Sequence, residues 1–81
     1  MKLTIIDTEK VIAHDIVWIE LNTPVGNIVI QQNHAPMIIE LLPNHELLFE
    51  LITGEQKNMD ITQAVAHVTR QEVKILIPSI I

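Results

Sequence analysis

The chain has 81 residues, ten acidic and five basic side chains, four histidines and a formal net charge of −5. That length holds a single domain with a limited core, and with no cysteine there is neither a disulfide framework nor a thiolate metal site. The five cations, Lys2, Lys10, Lys57, Arg70 and Lys74, are scattered, which excludes a nucleic-acid surface or an anionic membrane surface built on clustered Lys and Arg. Asp7 interrupts the first apolar run before a signal-type segment forms. No stretch approaches the roughly 18 to 20 apolar residues of a membrane helix.

Fifteen isoleucines favour the pleated sheet, because side chains branched at Cβ are stiff at χ1. In chain order, Lys2 to Asp7 reads as a first strand with Leu3 and Ile5 on one face, followed by a polar turn at Asp7-Thr8-Glu9-Lys10. Val11 to Leu21 is a long run, two strands or one bent strand, broken near His14-Asp15. Its second half places Val17, Ile19 and Leu21 on one face and Ile16, Trp18 and Glu20 on the other. Thr23-Pro24-Val25-Gly26 is a turn, since proline presets φ and glycine supplies positive φ. Ile28 to Ile30 is a strand ended by Gln31-Gln32-Asn33.

Met37 to Leu42 lies between Pro36 and Pro43 and is too short for an ordinary helix, so it reads as a strand. Glu46 to Thr53 alternates, with Leu47, Phe49 and Leu51 on one face. Gly54 to Lys57 is a hairpin loop, and Asn58 to Thr62 its return strand. Ala64 to Thr69 is another short strand. Glu72 to Ile77 is the cleanest alternation, with Val73, Ile75 and Ile77 inward. Pro78 to Ile81 is an apolar tail. About 8 to 10 short strands with turn signals between them predict an all-β fold, a small two-sheet sandwich or flattened barrel spanning residues 1–81. Ile16 with Trp18, and Leu48 with Ile52, make strands apolar on both faces. Scattered surface apolars or covering loops explain that; an exposed patch for another protein explains it equally well.

No catalytic constellation emerges. His14, His34, His45 and His67 do not recur at metal-ligand spacings. Ser79 is the single serine, phosphate-binding glycine motifs are absent, and the carboxylate pairs Glu46 with Glu50 and Glu9 with Asp15 read as solvated faces. The expectation is a binding module with no catalytic residue, cofactor or metal.

The segment Gly26-Asn27-Ile28-Val29-Ile30-Gln31-Gln32-Asn33-His34-Ala35-Pro36 resembles the ATP synthase epsilon subunit, whose N-terminal domain carries a run like G-E-x-G-I-x-P-G-H-A-P. Thr8-Glu9-Lys10-Val11 is similar to the family's P-E-K-V, Leu41-Leu42-Pro43-Asn44 to its L-K-P-G, and Val73-Lys74-Ile75-Leu76 to its V-x-I-L. The departures are Asn27 for an acidic residue, Gln32-Asn33 for P-G, and Val29 and Gln63-Ala64 where the family has glycines. Asn33 and Asn44 tolerate positive φ, whereas Val29 and Ala64 do not adopt it cheaply, so the backbone there is expected to differ.

The resemblance implies a non-catalytic rotor-stalk subunit at the foot of an F-type ATP synthase. It would link the gamma subunit to the membrane c-ring and couple ion flow to ATP synthesis or hydrolysis, as a peripheral subunit on the cytoplasmic face of the cell membrane without inserting into it. Thr23, Pro24, Val25, Gly26, Asn27 and Ile28 match the segment facing the c-ring. His34 and its neighbour Met37, with the apolar Trp18 and Leu48, mark the gamma side, although the reading of His34 as a structural turn residue is preferred and the two are compatible. The family's C-terminal helices, with their inhibitory extension and ATP binding, find no counterpart before Ile81. Two other readings stay open: an epsilon-like adaptor for another protein, and a small enzyme or metal-binding sandwich using the histidines. A homodimer of the isolated domain, driven by Ile80-Ile81 and the two-faced strands, is also expected.

Overall fold

The computed structural model describes residues 1–78 as eight strands: β1 Lys2–Ile6, β2 Val11–Thr23, β3 Gly26–Gln31, β4 Met37–Glu40, β5 His45–Leu51, β6 Gln56–Ile61, β7 Val65–Val68 and β8 Glu72–Leu76. The tail Ser79 to Ile81 lies outside the described residues. Two sheets form, the first in the order β4-β7-β8-β1-β2 and the second in the order β3-β2-β5-β6. The 13-residue β2 belongs to both: its first half pairs with β1, and its second half lies between β3 and β5. The pairs are antiparallel except β1 with β8, where the two ends of the described chain lie parallel. The smallest principal extent, 19 Å, is that of two sheets stacked about 10 Å apart with their outer side chains.

The core lies between the sheets. Leu3 and Ile5 from β1, Ile16, Ile19 and Leu21 from β2, Leu47 and Phe49 from β5, and Val73 and Ile75 from β8 are all buried in one cluster. These are the inward positions that the alternation predicts, with one exception. The expected grouping of Val17 with Ile19 is wrong, because a β-bulge lies between Ile16 and Trp18: Ile16 pairs with Leu51 and Trp18 with Glu50, leaving Val17 as the extra residue. Ile16 therefore joins the core, Val17 is exposed and Trp18 turns outward. A bulge also adds twist, which suits the place where β2 leaves one sheet for the other.

The strand boundaries expected from the sequence shift at the β5–β6 hairpin. Strand β6 begins at Gln56 rather than Asn58, because Glu50 pairs with Gln56. Inside the loop Leu51 N donates to Glu55 O (2.8 Å) and Gly54 N to Leu51 O (2.8 Å), with Gly54 at φ 94°. Ile52 thus leaves the strand and is exposed. Asn33 and Asn44 take φ 69° and 60°, while Val29 sits in β3 and Ala64 is buried; among the described non-glycine residues only the two asparagines have positive φ.

The β1–β2 turn is held by Asp7, whose Oδ1 accepts from the N–H groups of Glu9 (2.7 Å) and Lys10 (2.9 Å). Those two bonds, Glu9 first, hold its carboxyl below the ordinary value of 3.8, with a smaller pull from the Lys10 charge. A carboxyl depressed on folding stabilises fully above its unfolded value, and the contribution is lost as pH falls through the folded one. Asp7→Ala is expected to melt lower at neutral pH and to lose less on acidification below about 4 than the native chain does. Equal acid slopes for the two proteins in thermal melts would refute this.

Candidate interaction surfaces

Hairpin β2–β3 is closed by Pro24 and Val25, with Val25 86% exposed at the tip. Its base is built by Thr23, which is buried and donates its hydroxyl to Gly26 O at 2.6 Å. Gly26 lies at φ 123°, and a Cβ there would meet nothing within 4 Å, so the demand for glycine is one of backbone conformation and not of space. Asn27 donates its side-chain amide to Asn22 Oδ1 (3.1 Å), and Asn22 donates its own to Glu46 O (3.3 Å), which fastens the hairpin to β5. Thr23→Val keeps the shape and removes one hydrogen bond. It should cost about 1 kcal/mol, read as a lower urea midpoint; an unchanged midpoint would show that the hydroxyl contributes nothing.

The outer face of the second sheet follows from the register. Trp18 pairs with Gln31 on one side and Glu50 on the other, and Glu20 with Val29 and Leu48. Trp18 and Leu48, both half-buried, therefore share a face with Val29, which is 48% exposed. Around them on the same face stand Glu20, Glu46, Glu50 and Asp60. Lys57 is opposite the buried Phe49, out of register with them. Among the described residues the one ion pair is Lys74 with Glu72 (4.0 Å), on the other sheet, so these four carboxylates have no ion-pair partner. The result is an apolar centre with an acidic rim.

The four residues expected on the gamma side do not come together. Met37 packs against the core from the first sheet, away from Trp18 and Leu48. His34 sits in the turn after β3, where its N–H donates to Gln31 O (3.1 Å) and its ring Nδ1 lies 2.8 Å from Ala35 O. A carbonyl only accepts, so Nδ1 carries the proton. The turn is tied to the β7–β8 turn by Asn33 N donating to Arg70 O (2.7 Å) and Arg70 Nη1 donating to Asn33 O (3.3 Å). These contacts account for His34-Ala35-Pro36 as a structural corner. The six hairpin residues from Thr23 to Ile28 do stand together, though Thr23 points into the core and Pro24 and Val25 out. Val29 and the acidic rim were missed, because which residues flank Trp18 depends on strand pairing.

The histidines have separate surroundings: His14 lies 5.4 Å from the Phe49 ring centroid, and His45 Nδ1 is 2.9 Å from Pro43 O. Among the described residues no three His, Asp or Glu groups gather as metal ligands. A second apolar surface, a groove of about 370 Å³ between Ile6, Val65, Leu76, Ile77 and Pro78, lies along the first sheet. No helix among the described residues is long and apolar enough to cross a membrane.

Fold and surfaces together define a two-sheet β-sandwich with a projecting hairpin at the end of its second sheet. Residues 1–81 match the family described as ATP synthase, delta/epsilon chain, beta-sandwich domain. The chain belongs to that family, as the N-terminal β-sandwich domain of an epsilon-type ATP synthase subunit. Among solved structures it is similar to a chain of the Euglena gracilis mitochondrial ATP synthase, determined as an OSCP/F1/c-ring assembly in one rotational state. The TM-score is 0.81 at 22% identity, over 93% of this chain and 48% of that one. This likeness concerns the fold, and the present chain spans about half the length of its structural relative. No curated protein sequence matches.

Proposed function

We propose that the chain is a non-catalytic central-stalk subunit of an F-type ATP synthase. In this reading it links the gamma subunit to the c-ring, so that ion translocation and ATP synthesis or hydrolysis turn together, at the cytoplasmic face of the membrane. What supports the reading beyond family membership is the separation of two surfaces along one sheet. Trp18 and Gln31 stand at one end of the β2–β3 pairing, and Thr23 and Gly26 at the other. Five residues of extended strand place the Trp18 face and the hairpin tip roughly 17 Å apart, so each can meet a different partner. The gamma side is the Trp18, Val29 and Leu48 face, which fits a partner surface apolar at its centre and basic at its rim. The c-ring side is the Pro24-Val25 tip, which offers a compact, uncharged contact. A total buried area on the order of 1,200 Å² or more is expected with gamma.

The test is capture of the gamma-type subunit of the same synthase by this chain, with Trp18→Glu and Leu48→Glu as controls. Stable capture by the native chain and loss in the double variant support the stalk role. Failure of a folded native chain to bind gamma at micromolar concentration sinks it and leaves the epsilon-like adaptor reading.

A further inference from the structure

Strands β3, β4 and β6 and the first half of β2 each pair on one side only, and they are not equally protected: the β2 half carries Asp15 and runs into the bulge. Exposed edges invite another strand unless they are short, charged or broken by proline. Strand β4 has four residues with Glu40 at its end and Pro36 just before it; β6 carries Lys57 and Asp60. Strand β3, Gly26-Asn27-Ile28-Val29-Ile30-Gln31, has six residues, no charge, no proline and no bulge.

The register shows which backbone groups of β3 lack a partner. A two-residue turn makes Thr23 and Gly26 a hydrogen-bonded pair, and such pairs alternate along an antiparallel ladder. Asn22 with Asn27, Glu20 with Val29 and Trp18 with Gln31 are then the non-bonded pairs. Two bonds agree: Asn22 O accepts from Leu42 N (2.9 Å) and Gln31 O from His34 N (3.1 Å), so neither carbonyl is used between β2 and β3. The N–H and C=O groups of Asn27 and Val29, and the N–H of Gln31, therefore point off the sheet.

We propose that this edge pairs with β3 of a second copy of the chain, antiparallel about a two-fold axis at Val29. In that register Val29 faces Val29 of the second copy, and Asn27 faces Gln31. The outward groups then form about four backbone hydrogen bonds, two between the facing Val29 residues and one from each Gln31 N–H to the facing Asn27 carbonyl, and the facing side chains are valines and neutral amides, which do not repel. On the core side Ile28 faces Ile30 of the second copy, and Ile30 faces its Ile28. The nearest carboxylates on the outer face, Glu20 of each copy, are kept three strand spacings apart, about 14 Å, beyond the Debye length of about 8 Å at physiological salt. The two second sheets join into one of eight strands, and the Trp18 faces become continuous. This goes beyond the stalk role: it describes the chain free of its assembly.

The test uses the purified chain alone. Sedimentation or light scattering is expected to show the mass doubling as concentration rises from low micromolar to several hundred micromolar. Over that range, amide exchange at Asn27 and Val29 should slow by about tenfold or more. Val29→Lys, which sets two cations face to face, and Val29→Pro, which removes only an outward N–H, should each hold the mass at one chain. Asn58→Lys on the β6 edge should leave the dimer intact. A single-chain mass throughout, a dimer without slowed exchange at Asn27 and Val29, or a dimer that survives both Val29 variants would overturn the proposal. The exchange measurement needs no variant, so a misfolded one cannot rescue the idea.

Discussion

Ile19→Ala should remove a large share of the domain's stability. Ile19 is fully buried on the central strand of the second sheet, between Ile30 on β3 and Phe49 on β5. Truncating a buried isoleucine costs about 2 to 5 kcal/mol, the lost transfer energy plus the cavity left behind. Small domains have roughly 0.05 to 0.15 kcal/mol of stability per residue, about 4 to 12 kcal/mol for 81 residues, so the loss is a large fraction of the total. The shared strand limits relaxation, because β2 is held by β1, β3 and β5 and cannot close on the cavity without moving both sheets. With a urea dependence of about 1 kcal/mol per molar, the midpoint should fall by about 2 M or more, or the protein should be unfolded before denaturant is added. Ile38→Ala, at a side chain 72% exposed on β4, should change stability by less than about 0.5 kcal/mol. Similar costs at the two positions would contradict the assigned core.

The second large effect is on binding. Trp18 is the chain's single tryptophan, half-buried at the centre of the outer face, and aromatic anchors dominate interface energetics. Trp18→Ala should weaken gamma binding by at least about 2 kcal/mol, roughly thirtyfold in Kd. Trp18→Glu should do worse by adding a carboxylate among Glu20 and Glu50. The melting temperature should change little beside that of Ile19→Ala, since Trp18 lies outside the core cluster. As the chain's sole indole, Trp18 is also its own probe: binding should shift its fluorescence to the blue. Because the rim is acidic, raising the salt should slow association more than it speeds dissociation. Unaltered gamma affinity in Trp18→Ala would move the gamma side off this face.

A β-sandwich was legible in the sequence because alternation is a local property. Val73 and Ile75 against Glu72 and Lys74 announce their faces without knowledge of their neighbours, and both apolar residues are buried. The turn chemistry was local too. Asn33 and Asn44 adopt the positive φ expected of them, and Gly26 and Gly54 close hairpins. The family likeness rests on such turn residues, which is why it survives low identity. Pairing was not legible. The bulge that turns Ile16 in and Trp18 out arises from β2 serving two sheets with different partners, and alternation counted along one strand cannot register a residue left over against another. The same holds for the acidic rim, assembled from Glu20 on β2, Glu46 and Glu50 on β5 and Asp60 on β6, and for Met37, whose proximity to His34 in sequence hid its place against the core on the first sheet. The amino-acid sequence by itself therefore determined the strands, their turns and most inward side chains, since these follow from backbone preference and the two-residue repeat. Only the tertiary structure decided which outward residues share a face and which strand edge stays open, because hydrogen bonding between distant strands sets both.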